Sequence, residues 1–547
     1  MLGISAALDG AHALRVLHRA GMISLPALGG LPAAWRDVRR WGPVAGAIRI
    51  AAARTPHRTG LVDDLGPLTF ADLDRRSDLL AGAWTDLGIG PRDVVGVLCR
   101  DHRGLVDAAL AAAKLGARLV LVNTGLAGPQ VAQVAKGEGL TVLVHDDEFG
   151  TAAASVPPSV RRFTAWTDGE RGTGGRQAPP ALESLIAQAP ARTLRPPART
   201  GGVVLLTSGT TGAPKGAPRR VGSPLVIAQL LDRVPLRVGE STLIAAPLFH
   251  GTGFAHLMVA FAFGSTAVVS RRFDAEAALR ALERHRCSAV ILVPTMLRRI
   301  LDLGPDPRSR HDLSALRIVF VAGSALPPDL GDRAMAAFGE VLYNLYGSTE
   351  VAVATVATPA DWRAAPGTVG RPPHGCRVRL YGERGPVARP GERGRIFVGS
   401  GLGFAGYTDG RSRETRDGLL DTGDVGHFDA AGRLFVDGRA DDMIVSGGEN
   451  VYPGEVEDLL AAHPGIVEAA VVGVPDAEFG QRLRAYVVPR DGAGLTGADV
   501  RAHVKANLAR HKVPRDVLLV AGLPRNATGK LLRHRLPGLP GEAGERR

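Results

Sequence analysis

Short runs of consecutive apolar residues alternate along this chain with longer stretches in which apolar residues recur every three or four positions. The runs at 94–98, 119–122, 141–144, 203–206, 243–246, 289–293 and 318–322 are too short for helices and predict buried strands. Between them, 70–87 and the alanine-rich 105–115 carry the helical period, with Thr69 standing where an N-cap belongs. Strand and helix in alternation predict parallel sheets with helices on both faces, an α/β fold. From 370 to 436 the texture changes: glycines recur every few residues and the apolar pieces shorten, as in Ile396-Phe397-Val398, which predicts a β-rich lobe. After Asp437-Gly438-Arg439, helical patterns at 456–462 and 500–509 accompany strands at 467–474 and 485–488, a small α+β unit of about one hundred residues.

The expected division is a helical extension over 1–45, a large domain over 46–438 and a small, mobile C-terminal domain over 439–547. The segment 167–199, rich in Gly, Pro and Arg, reads as a surface connection. In the extension, Leu14, Leu17 and Met22 are set against Arg15, His18 and Arg19. That pattern fits a helix packed on the body and, as the weaker option, a helix at a membrane interface.

Composition narrows the picture. A chain of 547 residues exceeds one ordinary core, and 45% hydrophobic with 22% charged residues suits a soluble globular protein. A net charge of +12 favours anionic partners. The basic residues are spread without a long tract, so small polyanions are favoured and no nucleic-acid partner is expected. Only six of the 66 basic residues are lysine, and two of those, Lys215 and Lys530, lie in glycine-containing loops. A compact ammonium enters a tight phosphate site where a guanidinium fork does not. Cys99, Cys287 and Cys376 are far apart, with neither metal spacing nor a disulfide set, so a reducing cytoplasm is the expected compartment. No apolar run reaches membrane-spanning length, and Asp9, His12 and Arg15 interrupt any signal-peptide pattern.

The candidate chemistry centres on Leu206-Thr207-Ser208-Gly209-Thr210-Thr211-Gly212-Ala213-Pro214-Lys215-Gly216, directly after an apolar run. Hydroxyls, glycines and one ammonium within a few residues suit a phosphate cradle. The order differs from a Walker A loop, which requires Gly-Lys-Ser/Thr. Further along stand Tyr346-Gly347-Ser348-Thr349-Glu350, Asp421-Thr422-Gly423-Asp424, Gly438-Arg439-Ala440-Asp441, Ser446-Gly447-Gly448-Glu449-Asn450 and Pro524-Arg525-Asn526-Ala527-Thr528-Gly529-Lys530. Taken singly each is weak: a Tyr–Glu turn is usually structural, Asp424 could merely cap its turn, and a lone terminal lysine is usually solvated surface.

In this order, together, they resemble the adenylate-forming superfamily of acyl-CoA synthetases, luciferases and peptide-synthetase adenylation domains, over roughly residues 48–535. The resemblance implies that Thr207, Ser208, Gly209, Thr210, Thr211, Gly212 and Lys215 bind the β- and γ-phosphates of ATP. It places Gly323, Ser324 and Ala325 in the adenine pocket with Tyr346 stacked on the base, Thr349 at the α-phosphate and Glu350 on Mg²⁺. Asp424 and Arg439 would hold the ribose, Asp441 would be the interdomain hinge, and His250 would flank the acyl site. Lys530 would bridge the acid's carboxylate and the α-phosphate. Gly447 and Gly448 would line the pantetheine path of CoA. The segment Ala217-Pro218-Arg219-Arg220 departs from the family's usual continuation of the phosphate loop.

Gly251, Gly253, Ala255 and 351–354 leave room beside the reaction centre and bring no charge to pair an amino acid's ammonium. The stretch 446–453 looks most like bacterial fatty acyl-CoA ligases. The expected activity is therefore conversion of a fatty acid, ATP and CoA to acyl-CoA, AMP and pyrophosphate. An acyl-AMP ligase loading an acyl carrier protein and a CoA ligase for aryl or other acids are the alternatives. A silent nucleotide-binding protein is disfavoured by intact Lys215, Glu350, Asp424 and Lys530. A homodimer and peripheral contact with the inner membrane face stay open.

Overall fold

A computed structural model describes residues 2–23, 31–168, 179–208, 214–220, 226–304, 306–400, 403–404, 406–440, 442–446, 449–476, 480–508, 510–526, 529–539 and 542–543. Two sheets form the large domain. In the first, the strands Leu342–Tyr346, Ile318–Val321, Ala289–Leu292, Ser241–Ile244, Thr266–Val268 and Thr59–Asp63 run parallel in that order, with antiparallel edge strands Thr355–Ala357 and Gly66–Thr69. In the second, Val203–Ser208, Arg118–Leu121, Val94–Leu98, Val142–Asp146 and Arg161–Trp166 are parallel.

Continuous apolar runs are what such doubly covered strands require, because successive side chains point to opposite faces. Ile318 and Phe320 enter the cluster shared by both sheets, together with Val95, Val97, Leu119 and Leu121, whereas Val319 and Val321 pack on the far side against Leu279, Leu330 and Trp362. The helix Phe70–Asp86 starts where the sequence places it, with a reciprocal Thr69/Asp72 capping box. The glycine-rich region forms its own six-stranded sheet, built chiefly from Arg377–Gly382, Gly394–Gly399, Leu419–Phe428 and Leu434–Arg439. The C-terminal unit packs the helices Pro453–Ala461 and Gly497–Asn507 on a sheet centred on Gly480–Pro489.

Two segments differ from, or sharpen, the expectation. The predicted surface connection contains a helix, Leu182–Gln188, whose Leu182 and Ile186 are buried in the main core one turn apart. Glu183 on the same helix pairs with Arg76. Leu185 packs on the same core, so the helix rests on three apolar positions within five residues, too short a stretch to stand out from its Gly/Pro/Arg-rich surroundings.

The extension is helical and packed. Helix α1 (Leu2–Arg19) buries Ala13, Val16 and Leu17 in the main core, and its His12 Nε2 lies 2.6 Å from Asp232. Helix α2 (Leu31–Arg54) is broken at Gly42, whose φ of 77° belongs to the left-handed region. A Cβ there would also lie 2.6 Å from Thr200 Cγ2, so both the backbone and its neighbour demand glycine. Beyond the break, Arg49 pairs with Asp74 and Asp78 at 3.1 and 2.7 Å. The fully buried Lys114 ammonium joins the same two carboxylates and the Ser77 hydroxyl, tying three helices together.

Candidate active site

The loop following Val203–Ser208 closes a hairpin: Pro214–Arg220 returns antiparallel, with Thr207 opposite Lys215 and Ser208 opposite Pro214. The departing segment 217–220 is thus the return strand of the phosphate-loop hairpin. Gly209, Thr210, Thr211 and Gly212 lie outside the described residues, as do Gly447, Gly448 and Asp441. The side chains of Thr207 and Ser208 are likewise outside what is described; the other candidates converge. Lys215, His250, Gly323, Ser324, Ala325, Tyr346, Thr349, Glu350, Asp424, Arg439 and Lys530 all line one cavity of about 2860 Å³ between the two sheets, the β lobe and the C-terminal unit. Gly323, Ser324, Ala325, Thr349 and Glu350 follow the parallel strands Ile318–Val321 and Leu342–Tyr346, the usual place for ligands in open parallel sheets, whereas Asp424 and Arg439 face each other on paired antiparallel strands of the β lobe.

Glu350 is buried. Burial works against its ionisation, yet hydrogen bonds from the Tyr407 hydroxyl (2.5 Å) and the Ser348 hydroxyl (2.7 Å) outweigh it and hold the carboxyl below its ordinary range. Tyr407 also presents its ring to the Lys215 ammonium at 5.6 Å and takes a hydrogen bond from Arg413 Nε at 3.2 Å. It thereby links the phosphate-loop lysine to the buried carboxylate. Burial and the adjacent Glu350 push the Tyr407 phenol up, so it stays a proton donor. Sequence reasoning missed Tyr407 and Arg413. They sit in a turn 57 and 63 residues downstream of Glu350 with no periodic or spacing signal.

Asp424 accepts a 2.6 Å hydrogen bond from the Tyr346 hydroxyl and one of 3.2 Å from Arg439 Nη1. Burial raises its carboxyl above the ordinary range, while Tyr346, Arg439 and the nearby Lys530 charge pull the other way. Lys530 therefore acts electrostatically on Asp424 although 106 residues separate them in the sequence. Its loop is tied by Lys530 N–H to Asn526 Oδ1 (2.8 Å) and Asn526 N–H to the Lys530 carbonyl (2.9 Å). Gly529, at φ 77°, passes so close to the large domain that a Cβ would lie 2.3 Å from Thr295 Oγ1. Arg298 Nη1 donates to the Val467 carbonyl at 2.7 Å, a second contact between the two units.

His250 precedes the helix Gly251–Ala262. Burial pushes its imidazole down to about 4, and its Nε2 has no hydrogen-bond partner among the described residues, so the ring is neutral at pH 7.

The donor set fits a nucleotide with its metal. A single carboxylate held ionised suits Mg²⁺, which keeps several waters and shares phosphate oxygens. Asp424 beside Arg439 offers an acceptor aimed into the same cavity for ribose hydroxyls. Such a site, on a large α/β domain with a small unit delivering a lysine, is that of an ATP-dependent adenylate-forming enzyme.

Comparison with known proteins agrees. Residues 48–408 match the AMP-binding enzyme family and residues 455–530 its C-terminal domain. The chain is 34% identical over 491 residues to a feruloyl-CoA synthase of Amycolatopsis sp, covering 88% of this chain and 96% of that protein. It is 33% identical over 504 residues to an indoleacetate–CoA ligase of Aromatoleum aromaticum (88% and 94%). Its fold is similar to that of an o-succinylbenzoate CoA synthetase from Bacillus subtilis solved with its acyl-adenylate intermediate: TM-score 0.79, 27% identity, 91% of this chain and 99% of that one. The chain belongs to the AMP-binding enzymes. It is an acid–thiol ligase of the adenylate-forming kind, and ATP, CoA and Mg²⁺ are what it works with. The expectation of a fatty acid in particular finds no counterpart in these three relatives, each named for a ring-bearing acid. Among the described residues no helix is long and apolar enough to cross a membrane.

Proposed function

We propose that the protein activates an apolar, ring-bearing carboxylic acid as its acyl-adenylate and then transfers the acyl group to CoA. The observation that carries this reading is the Lys530 ammonium, inside the same cavity as Lys215, Glu350 and Asp424 and acting on Asp424. The attacking carboxylate and the α-phosphate are both anions, so the barrier is largely their repulsion. An ammonium brought to both lowers it by offsetting their charge. The acid is already ionised at neutral pH, so no general base is needed. His250, held neutral, does not pair with the carboxylate and leaves it free to attack.

In this reading Lys215 and the loop over 207–212 hold the β- and γ-phosphates, and Thr349 contacts the α-phosphate. Tyr346 presents its ring to adenine beside Gly323, Ser324 and Ala325, while its hydroxyl fixes Asp424 for the ribose together with Arg439. Glu350 would hold Mg²⁺, which supplies positive charge against the phosphate oxygens when bound. The large and small domains divide near residue 438, with Asp441 as hinge, and rotation about it would bring Gly447 and Gly448 to the thiol.

The aryl or cyclic class is supported by the named relatives. A fatty acid is the second reading, favoured by the apolar length of the cavity described below. The deciding experiment has two parts. Pyrophosphate release is measured across aryl, cyclic and straight-chain acids, with and without CoA. Lys530→Ala is then compared in adenylation and in thioester formation from preformed acyl-adenylate. Adenylation should fall by about a thousandfold or more, thioester formation by less than about tenfold. Equal loss in both half-reactions would overturn the role given to Lys530.

A further inference from the structure

The helix Gly251–Ala262 turns two different faces to its surroundings. Phe254, Leu257, Ala260 and Phe261 are buried in the core. Gly251, Ala255, Met258, Val259 and Ala262, one helical stripe, stay accessible and line the cavity. Accessible apolar side chains in the interior of a domain mark a space that the protein does not fill itself. Protein interiors pack densely, and an unfilled apolar space forfeits contacts. The stripe begins next to His250 and, at 1.5 Å per residue over eleven steps, runs for about 16 Å away from the reaction centre.

The N-terminal extension, whose α2 packs against this helix, supplies a further part of the lining. Pro43, Ala47 and Ile50, again one helical stripe, line the same cavity from α2, and Leu17 and Met22 line it from the end of α1. The AMP-binding match starts at residue 48, so most of this part lies outside it. It is also held rigidly: Gly42 is wedged against Thr200, and Arg49 is clamped by Asp74 and Asp78. A total volume near 2860 Å³ is about three times the upper end for a single small-ligand pocket, so the cavity has room for more than a nucleotide.

Resting on the proposed acid–CoA ligation, we infer that α1 and α2 form the distal wall of the acid-binding channel. The substrate is then an acid whose apolar body extends past the reacting carboxylate to the extension, such as an aryl acid bearing a long alkyl tail. The neutral His250 end receives the carboxylate, and the α2 stripe receives the tail. The extension thus sets the length of acid accepted rather than taking part in the chemistry.

The test uses the full chain and a 4-alkylbenzoate series from benzoate to 4-octylbenzoate, with pyrophosphate release as the readout. In the unaltered protein kcat/KM should rise at least tenfold from benzoate to the octyl member. Ala47→Phe on α2 and Ala262→Phe on the neighbouring helix should each remove that gain while leaving benzoate within about threefold. Benzoate turnover serves as the control for folding, and two variants on different helices guard against a local packing defect in either. A flat response to tail length, or loss of benzoate and octylbenzoate in equal measure in both variants, overturns the inference. Absence of pyrophosphate release with every carboxylic acid would instead sink the proposed function.

Discussion

Removing one hydroxyl, as in Tyr407→Phe, tests the electrostatics of the site at a position that no motif marks. The phenol donates to Glu350 at 2.5 Å, the short distance of a bond to an ionised acceptor. Such bonds contribute about 1.5–3 kcal/mol net. At 1.36 kcal/mol per decade, full expression of that loss in the transition state lowers kcat/KM for adenylation by between about tenfold and about 150-fold. The ring stays, so its packing and its face toward Lys215 stay with it. Burial of Glu350 is then opposed only by the Ser348 hydroxyl, a backbone hydrogen bond at Glu350 and the Arg413 charge, and its carboxyl should rise. The acid limb of the pH–rate profile should therefore move to higher pH, and more Mg²⁺ should be needed for half-maximal rate. The assay is pyrophosphate release at several pH values and Mg²⁺ concentrations, with thermal unfolding as a control. A rate within twofold of the unaltered protein, with the acid limb unmoved, would refute the claim that Tyr407 holds Glu350 in its working state.

Other outcomes follow from buried charge and backbone shape. His250 and His256 are both pushed by burial from 6.5 down to about 4, and the neutral forms belong to the folded state. Their contribution is whole above pH 6.5 and is lost as pH falls toward 4, so each should cost about 2 kcal/mol between pH 7 and pH 5. Urea unfolding at the two pH values should show this loss, and His256→Leu should remove about half of it; an unchanged pH dependence in the variant would contradict the assignment. Lys114→Met leaves Asp74 and Asp78 with Arg49 as their remaining cation, and breaking a buried pair in this way costs about 3–5 kcal/mol, read as a lower urea midpoint at constant slope. Gly42→Ala forces a side chain into a φ of 77° and against Thr200, and should destabilise by at least about 1–2 kcal/mol on the same measurement. Asp441→Pro, a change at the expected hinge, should leave acyl-adenylate formation largely intact while blocking thioester release in single-turnover assays.

What could be read from the sequence was local. Uninterrupted apolar runs such as 94–98 and 318–322 reported strands covered on both faces, because only burial on both sides removes the alternation. Thr69 followed by Asp72 marked a helix start, since the cap is an interaction within four residues. The motifs around Lys215, Tyr346, Glu350, Asp424 and Lys530 could be recognised because each packs its chemistry into one turn. What depended on distant pairing could not. Tyr407 and Arg413 reach Glu350 through the fold of the β lobe, and nothing in their neighbourhood announces it. The helix Leu182–Gln188 is only seven residues long and is flanked by Gly, Pro and Arg, so its three core contacts do not add up to a readable period. The placing of Lys530 on the same cavity as Asp424 required the C-terminal unit to dock through Gly529 and Arg298. Nor could sequence alone show that an amphipathic extension faces a cavity. An apolar stripe is the same in sequence whether it meets a core, a lipid surface or a cavity, and only the fold sets this one on the cavity beside the helix Gly251–Ala262.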